Sequence, residues 1–215
     1  MHDAHLRRPL LAVVALVAVA VTASVVAAKA VTSPLAAVHA KRAPGSWCGG
    51  VLWRQMAFSD RDRRKVSISP AATTIAEMSQ LAPPRRITTS RTTPFQRHVW
   101  RVSAVIDRYR LASNGEIVLI LYSINTGQYM NAYMPNPSCL SHRTRRRGSI
   151  LAARKLLVSH CPAVTTAWQL LGASVDISGV GFWNPVTRTR GALRNGAELR
   201  PVTDLTIEAG CGMPR

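Results

Sequence analysis

Residues 97–134 read RHVWRVSAVIDRYRLASNGEIVLILYSINTGQYMNAYM, three strand-like runs separated by two short polar turns. In the first run Trp100, Val102, Ala104 and Ile106 recur at every second position, the period that turns one side of a strand into a core. Ser113-Asn114-Gly115 supplies residues that tolerate positive φ, so the chain can reverse there. The run Ile117-Val118-Leu119-Ile120-Leu121 is apolar throughout, which suits a strand covered on both faces. Beyond the turn at Asn125-Thr126-Gly127, Met130, Ala132 and Met134 alternate with Tyr129, Asn131 and Tyr133. Together the three runs make a β-meander.

Downstream, Pro135-Asn136-Pro137-Ser138-Cys139 breaks the strand pattern. A helix is expected over 149–160, with Ile150, Ala153, Leu157 and Val158 on one face and Pro162 just past its end. Residues 174–182 read as a strand whose apolar positions are Val175, Ile177 and Val180; Gly179 and Gly181 mark a bulge or a close approach. A polar loop over 184–196 leads to a last strand over 198–207. Upstream of the meander, 51–57 reads as a short strand containing Trp53, and 59–65 as a charged loop. Thr74-x-x-Glu77 has capping-box form and opens a short helix over 73–81, stopped by Pro83-Pro84. From residue 97 the order is therefore β-β-β-α-β-β. The expected fold is mainly β, a five-stranded OB-type barrel with an N-terminal strand-helix extension. Residues 47–212 would form this single domain, long enough to bury a real core.

The first thirty residues differ from the rest. Arg7 and Arg8 precede an uncharged run over 10–28, mostly Ala and Val, and Ala28-Lys29-Ala30 is a small-x-small site. That is the pattern of a signal peptide; an uncleaved membrane anchor is the alternative, because the run is nearly long enough to span. Residues 31–46 lack periodicity and read as a flexible linker. The body of the chain is then secreted or otherwise extracytoplasmic. Its four cysteines, Cys48, Cys139, Cys161 and Cys211, allow three disulfide connectivities in an oxidising compartment. Each lies at the end of an expected element, which favours Cys48–Cys139 and Cys161–Cys211. With no CxxC pair and scattered histidines, no metal site and no cofactor are expected.

The formal net charge is +18, and 24 of the 28 basic residues are arginine. Such a field attracts polyanions, either nucleic acid or an anionic envelope polymer. Dense runs occur only at 61–65 and 143–147, and charge runs of this kind commonly form solvated loops.

The tail carries a more specific pattern: Gly179-Val180-Gly181-Phe182-Trp183, then Gly191, then Asn195-Gly196-Ala197-Glu198-Leu199-Arg200-Pro201-Val202. It is similar to a family of uncharacterised exported bacterial proteins whose tail reads GVGFFD-x-x-HGQ-x-G-x-APNG-x-ELHPV. Cys48-Gly49, the 73–75 helix start, Arg91, Asn114 to Leu121, Gly127 and Pro135 to Cys139 also fall in step, so the likeness covers roughly 48–207. It implies the OB-type barrel, with a distant fold-level analogy to thermonuclease barrels. It also implies a polar cluster at Asn114, Glu116, Val118, Tyr133, Asn184, Thr187 and Arg200, where relatives carry acids and histidines. This chain lacks most of those groups. Glu116 and Glu198 remain, and two carboxylates without a histidine are a poor catalytic set. An ion pair with a barrel arginine is the plainer role for Glu198.

Three readings follow. The first is a non-catalytic OB-type binding module, monomeric, holding a polyanion on the face of its second and third strands. Tyr122, Tyr129 and Tyr133, with Arg108 and Arg110 on the neighbouring strand, would form that platform; the competing role for the tyrosines is to cover the barrel beneath the N-terminal extension. The second is a degenerate nuclease-like hydrolase. The third is a structural protein of the cell envelope, whose basic loops rest on anionic polymer. No catalytic residue is expected, and membrane contact is expected only through residues 10–28 if they are not cleaved.

Overall fold

In the computed structural model, which describes residues 48–185 and 188–211, the elements in chain order are α1 (Trp53–Met56), β1 (Ser67–Ala72), α2 (Ile75–Ser79), β2 (His98–Leu111), β3 (Ile117–Tyr122), β4 (Tyr129–Met134), α3 (Arg147–His160), β5 (Gln169–Trp183) and β6 (Ala197–Ala209). The expected export segment and linker lie outside the described residues. The fold is mainly β, and the expected β-β-β-α-β-β order from residue 97 is present. The six strands form one mixed sheet in the order β1-β2-β3-β4-β6-β5, and β5 also pairs with β2. Strands β2, β3, β4, β6 and β5 therefore hydrogen-bond in a closed circuit, with β1 added parallel to the start of β2.

The meander folds as its alternation predicts as far as Ile106; a bulge between Ile106 and Arg108 then shifts the phase of β2 and brings Tyr109 inward. Ile117, Leu119 and Leu121 of β3 and Met130, Ala132 and Met134 of β4 enter one core with Val102, Ile106 and Tyr109 of β2. Trp100 and Ala104 pack against that core from its margin. Val118 and Ile120, on the opposite side of β3, are buried as well, as an apolar run on both faces requires. Each such side chain stabilises the fold by roughly 1.5–3 kcal/mol relative to exposure. Ala153 and Leu157 bring α3 onto the same core, while Ile150 joins a second cluster with Phe58, Val66, Val99 and Val180. Val158, expected on that apolar face, is instead half exposed; it lies one residue beyond Leu157 and so about 100° around the helix.

Glycine is needed at 181 for space. A Cβ there would stand 2.1 Å from the Phe95 carbonyl oxygen, and the β5–β6 register shifts beside Gly179 and Gly181. The bulge read from these two glycines is present. Phe182 then packs under Leu52 and Met56, while its neighbour Trp183 enters the main core.

The N-terminal extension departs from expectation. Residues 51–57 do not form a strand: a single 3-10 turn, Gly50–Leu52, runs into α1. Leu52 and Met56 are four apart, so a helix puts both on Phe182, a pairing that strand alternation also allows but tertiary packing decides. Within the expected loop 59–65, Arg61–Lys65 winds into a 3-10 helix capped by Asp60, whose side chain accepts from the Asp62 N–H. Strand β1 carries almost no buried side chain and contains Pro70, both traits of an edge strand, and it gives no periodic signal. The capping box is present, with Thr74 accepting from the Glu77 N–H at 3.1 Å and Glu77 accepting from the Thr74 N–H at 2.9 Å.

The extension is fastened by Arg91. Its side chain is fully buried and paired with Asp60 at 2.8 Å. The guanidinium also donates to the Gln55 and Gln96 carbonyl oxygens, at 3.0 and 3.2 Å. Two disulfides, Cys48–Cys139 and Cys161–Cys211, join the ends of elements in the expected pairing, and such bonds suit an extracytoplasmic protein. Among the described residues no helix is long and apolar enough to cross a membrane.

Candidate functional site

Strand register places all five candidate residues on one outward face. Arg108 lies opposite Ile120 and Arg110 opposite Val118. Val118 in turn lies opposite Tyr133, Ile120 opposite Asn131, and Tyr122 opposite Tyr129. The loop before β6 then divides this face. Gly191 sits at φ +77°, and a Cβ on it would approach Asn131 Oδ1 at 2.5 Å and Ile120 at 2.8 Å. Only glycine lets the loop close so tightly over the middle of the sheet. Asn195 holds that loop to α2, its amide donating to the Met78, Ser79 and Leu81 carbonyls at 2.8–3.2 Å. The three oxygens lie at and just past the C-terminal end of α2, where main-chain acceptors are left open to side chains.

At the open edge Tyr129 is 43% exposed, and the Tyr122 ring lies 4.9 Å from it. A cleft of about 690 Å³ on one side includes Gln80, Gln128 and Arg194 in its lining, and a recess of about 170 Å³ on the other includes Asp107, Arg108, Ile120 and Arg190. Tyr129 and Gly191 line both. The carboxylate of Asp107 is already bonded to Arg108 Nε at 2.7 Å. The charge left facing a ligand is positive.

Tyr133 and Arg110 are drawn off elsewhere. The Arg110 guanidinium lies 4.8 Å from the Trp168 ring centroid. Tyr133 is buried, with Arg200 4.2 Å over its ring. Around Arg200 the structure gathers most of the polar positions implied by the resemblance. Its Nη2 pairs with Glu116 Oε2 and its Nε with Glu116 Oε1 at 3.2 Å; Nη1 lies 3.5 Å from Glu198. Asn114 donates to Glu116 at 2.7 Å, and Asn184 donates to Glu198 at 3.0 Å. Thr187 lies outside the described residues. The ion pair read for Glu198 is present, and among the described residues no group of three His, Cys, Asp or Glu side chains is placed to hold a metal.

This cluster places two buried carboxylates around a single guanidinium. Burial works against the Arg200 charge, but Glu116 and Glu198 outweigh it and hold the guanidinium protonated. Glu116 takes the bidentate contact, and burial pushes the Glu198 carboxyl up to about 7. Glu198 thus binds its proton more tightly folded than unfolded, so its contribution to stability is complete below about pH 4.5 and lost as pH rises through about 7. Urea unfolding should show stability falling from pH 5 to pH 8 by up to about 3 kcal/mol. Glu198→Gln should flatten that slope; an unchanged slope would remove Glu198 as its source. Asp62, held below its usual value by the Lys65 contact and the Arg91 N–H, acts with the opposite sign and only near or below its ordinary 3.8.

Comparison with known protein families and with curated proteins finds no match to this chain.

Proposed function

We propose that the chain is an exported, non-catalytic binding module of OB type, and that its open edge at Arg108, Tyr122 and Tyr129 holds a polyanion. The observation that carries this reading is the half-exposed Tyr129, standing between two clefts whose unpaired charges are arginines. The closed circuit of β2, β3, β4, β6 and β5, with α3 between β4 and β5, has the strand order of an OB-type barrel. The outward β2-β3-β4 face is where such a barrel takes its ligand. Membership of the exported bacterial family with the GVGFF and NG-x-EL tail fits this architecture, since the tail builds the Gly181 contact, the Asn195 clamp and the Glu198–Arg200 cluster. A signal peptide over 1–30 fits the two disulfides, and the module would work as a monomer.

Retention on heparin and on single-stranded DNA tests the reading. Replacing Arg108, Arg190 and Arg194 together by serine should lower the salt dependence of DNA binding by about 1.4 in log–log slope, at roughly 0.7 for each of two phosphate contacts. An unchanged slope would place the polyanion elsewhere, as the envelope-protein reading does with the basic run at 143–147. The degenerate-hydrolase reading is weaker here because Arg200 occupies both carboxylates. Purified protein with Mg²⁺ or Ca²⁺ should leave single-stranded DNA intact; cleavage abolished by Glu116→Gln would revive that alternative.

A further inference from the structure

We infer that the ligand of this edge is single-stranded nucleic acid, with a base stacked on Tyr129 and one phosphate in the Arg108–Arg190 recess; the inference rests on the polyanion reading above. What separates nucleic acid from other polyanions is the order of groups along the edge. Arg108 and Arg190 line the recess on one side of Tyr129, and Arg194 lines the cleft on the other. Cation, aromatic ring, cation is the complement of phosphate, base, phosphate. A polyphosphate or a glycerol-phosphate polymer offers no ring for Tyr129. A heavily sulfated glycan carries its anions on every sugar ring, so it offers no uncharged flat ring between separated anions.

The two clefts differ in the same sense. At about 170 Å³ the recess is the smaller of the two and suits a compact anion. Asp107 engages only Nε of Arg108, which fixes the guanidinium and leaves both Nη groups for the anion, the geometry that suits bidentate phosphate contact. The larger cleft is lined by Gln80 and Gln128, whose amides both donate to Ser79 Oγ, so its floor is polar and uncharged apart from Arg194. Tyr122 backs Tyr129 at 4.9 Å, so the ring is held in place before a base arrives. Stacking of this kind tolerates any base, because each has a π face.

Fluorescence titration of the full chain with three probes of matched charge tests the inference: a thymidine 12-mer, the same backbone made abasic throughout, and heparin. At moderate salt the thymidine strand should bind on the order of ten times tighter than the abasic one. Tyr129→Ala should erase that preference while leaving abasic and heparin binding as they were, and Tyr129→Trp should keep it. Both variants alter an exposed side chain, and an unchanged far-ultraviolet spectrum verifies folding. Equal binding of thymidine and abasic strands, each weakened by Arg108→Ser, would overturn base stacking and leave the polyanion reading standing. Failure of all three probes to bind even at low salt would overturn both.

Discussion

Arg91→Leu should destabilise the domain by about 3–5 kcal/mol, the loss expected when one partner of a buried ion pair is removed. Arg91 is fully buried, and Asp60 is almost as deep. The guanidinium bonds both Asp60 oxygens and two main-chain carbonyls, at 2.8–3.2 Å. Its own main-chain N–H donates to Asp62 at 3.0 Å, and its carbonyl accepts from Arg97 Nε at 2.8 Å. Leucine would leave the Asp60 carboxylate without its cation and two carbonyls without donors. Lysine should recover little, because a single ammonium cannot reproduce the planar fork. The double variant Arg91→Leu, Asp60→Leu should be more stable than Arg91→Leu alone, since an apolar pair removes the stranded charge. Urea midpoints at neutral pH measure all three variants. A single variant as stable as the parent would show that this pair does not fasten the extension.

Removing the Cys48–Cys139 bond should cost about 4–5 kcal/mol on the loop-entropy account, because the bond closes a separation of 91 residues. The segment that follows Cys48 is also held by Leu52 and Met56 under Phe182, by Gln55 against Arg91 and Thr88, and by Ala57 and Phe58 in the cluster with Val99, Ile150 and Val180. A Cys48→Ser, Cys139→Ser protein should unfold on the order of 10 °C lower, at roughly 2–4 °C per kcal/mol for a domain of this size. Calorimetry with and without the bond gives the difference directly. The Cys161–Cys211 bond closes 50 residues, which lowers the same entropy cost by only about 0.5 kcal/mol, and it ties α3 to the end of β6, two elements that already share a core, so its loss should be slightly milder. Equal losses would show that loop length and anchoring do not set the ranking.

Local alternation and chemistry carry the legible part of this protein. Period-two patterning in β2 and β4, the continuous apolar run of β3 and the Thr74–Glu77 box are each specified within a few residues. They could be read without knowing what lay across the sheet. The cysteine pairing was legible because cystines join ends of elements whose order was already readable. Strand β1 was not legible: an edge strand buries little on either side, so no period marks it. The strand expected over 51–57 is a helix at its centre, for the related reason that the four residues of α1 hold too few turns for helical and strand patterns to diverge.

The site divides along the same line. Alternation placed Tyr129 and Tyr133 on one face, but carried past Ile106 it would turn Arg108 and Arg110 inward; the bulge between Ile106 and Arg108, a feature of the pairing with β3 and β5, brings both to the outward face. Only the tertiary structure decided which of them meet solvent. Tyr133 is covered through Arg200, and Ile120 and Asn131 through Gly191, contacts spanning about sixty residues or more of chain. A strand specifies which way its side chains point, whereas what covers them is set by distant segments whose arrival no local pattern encodes.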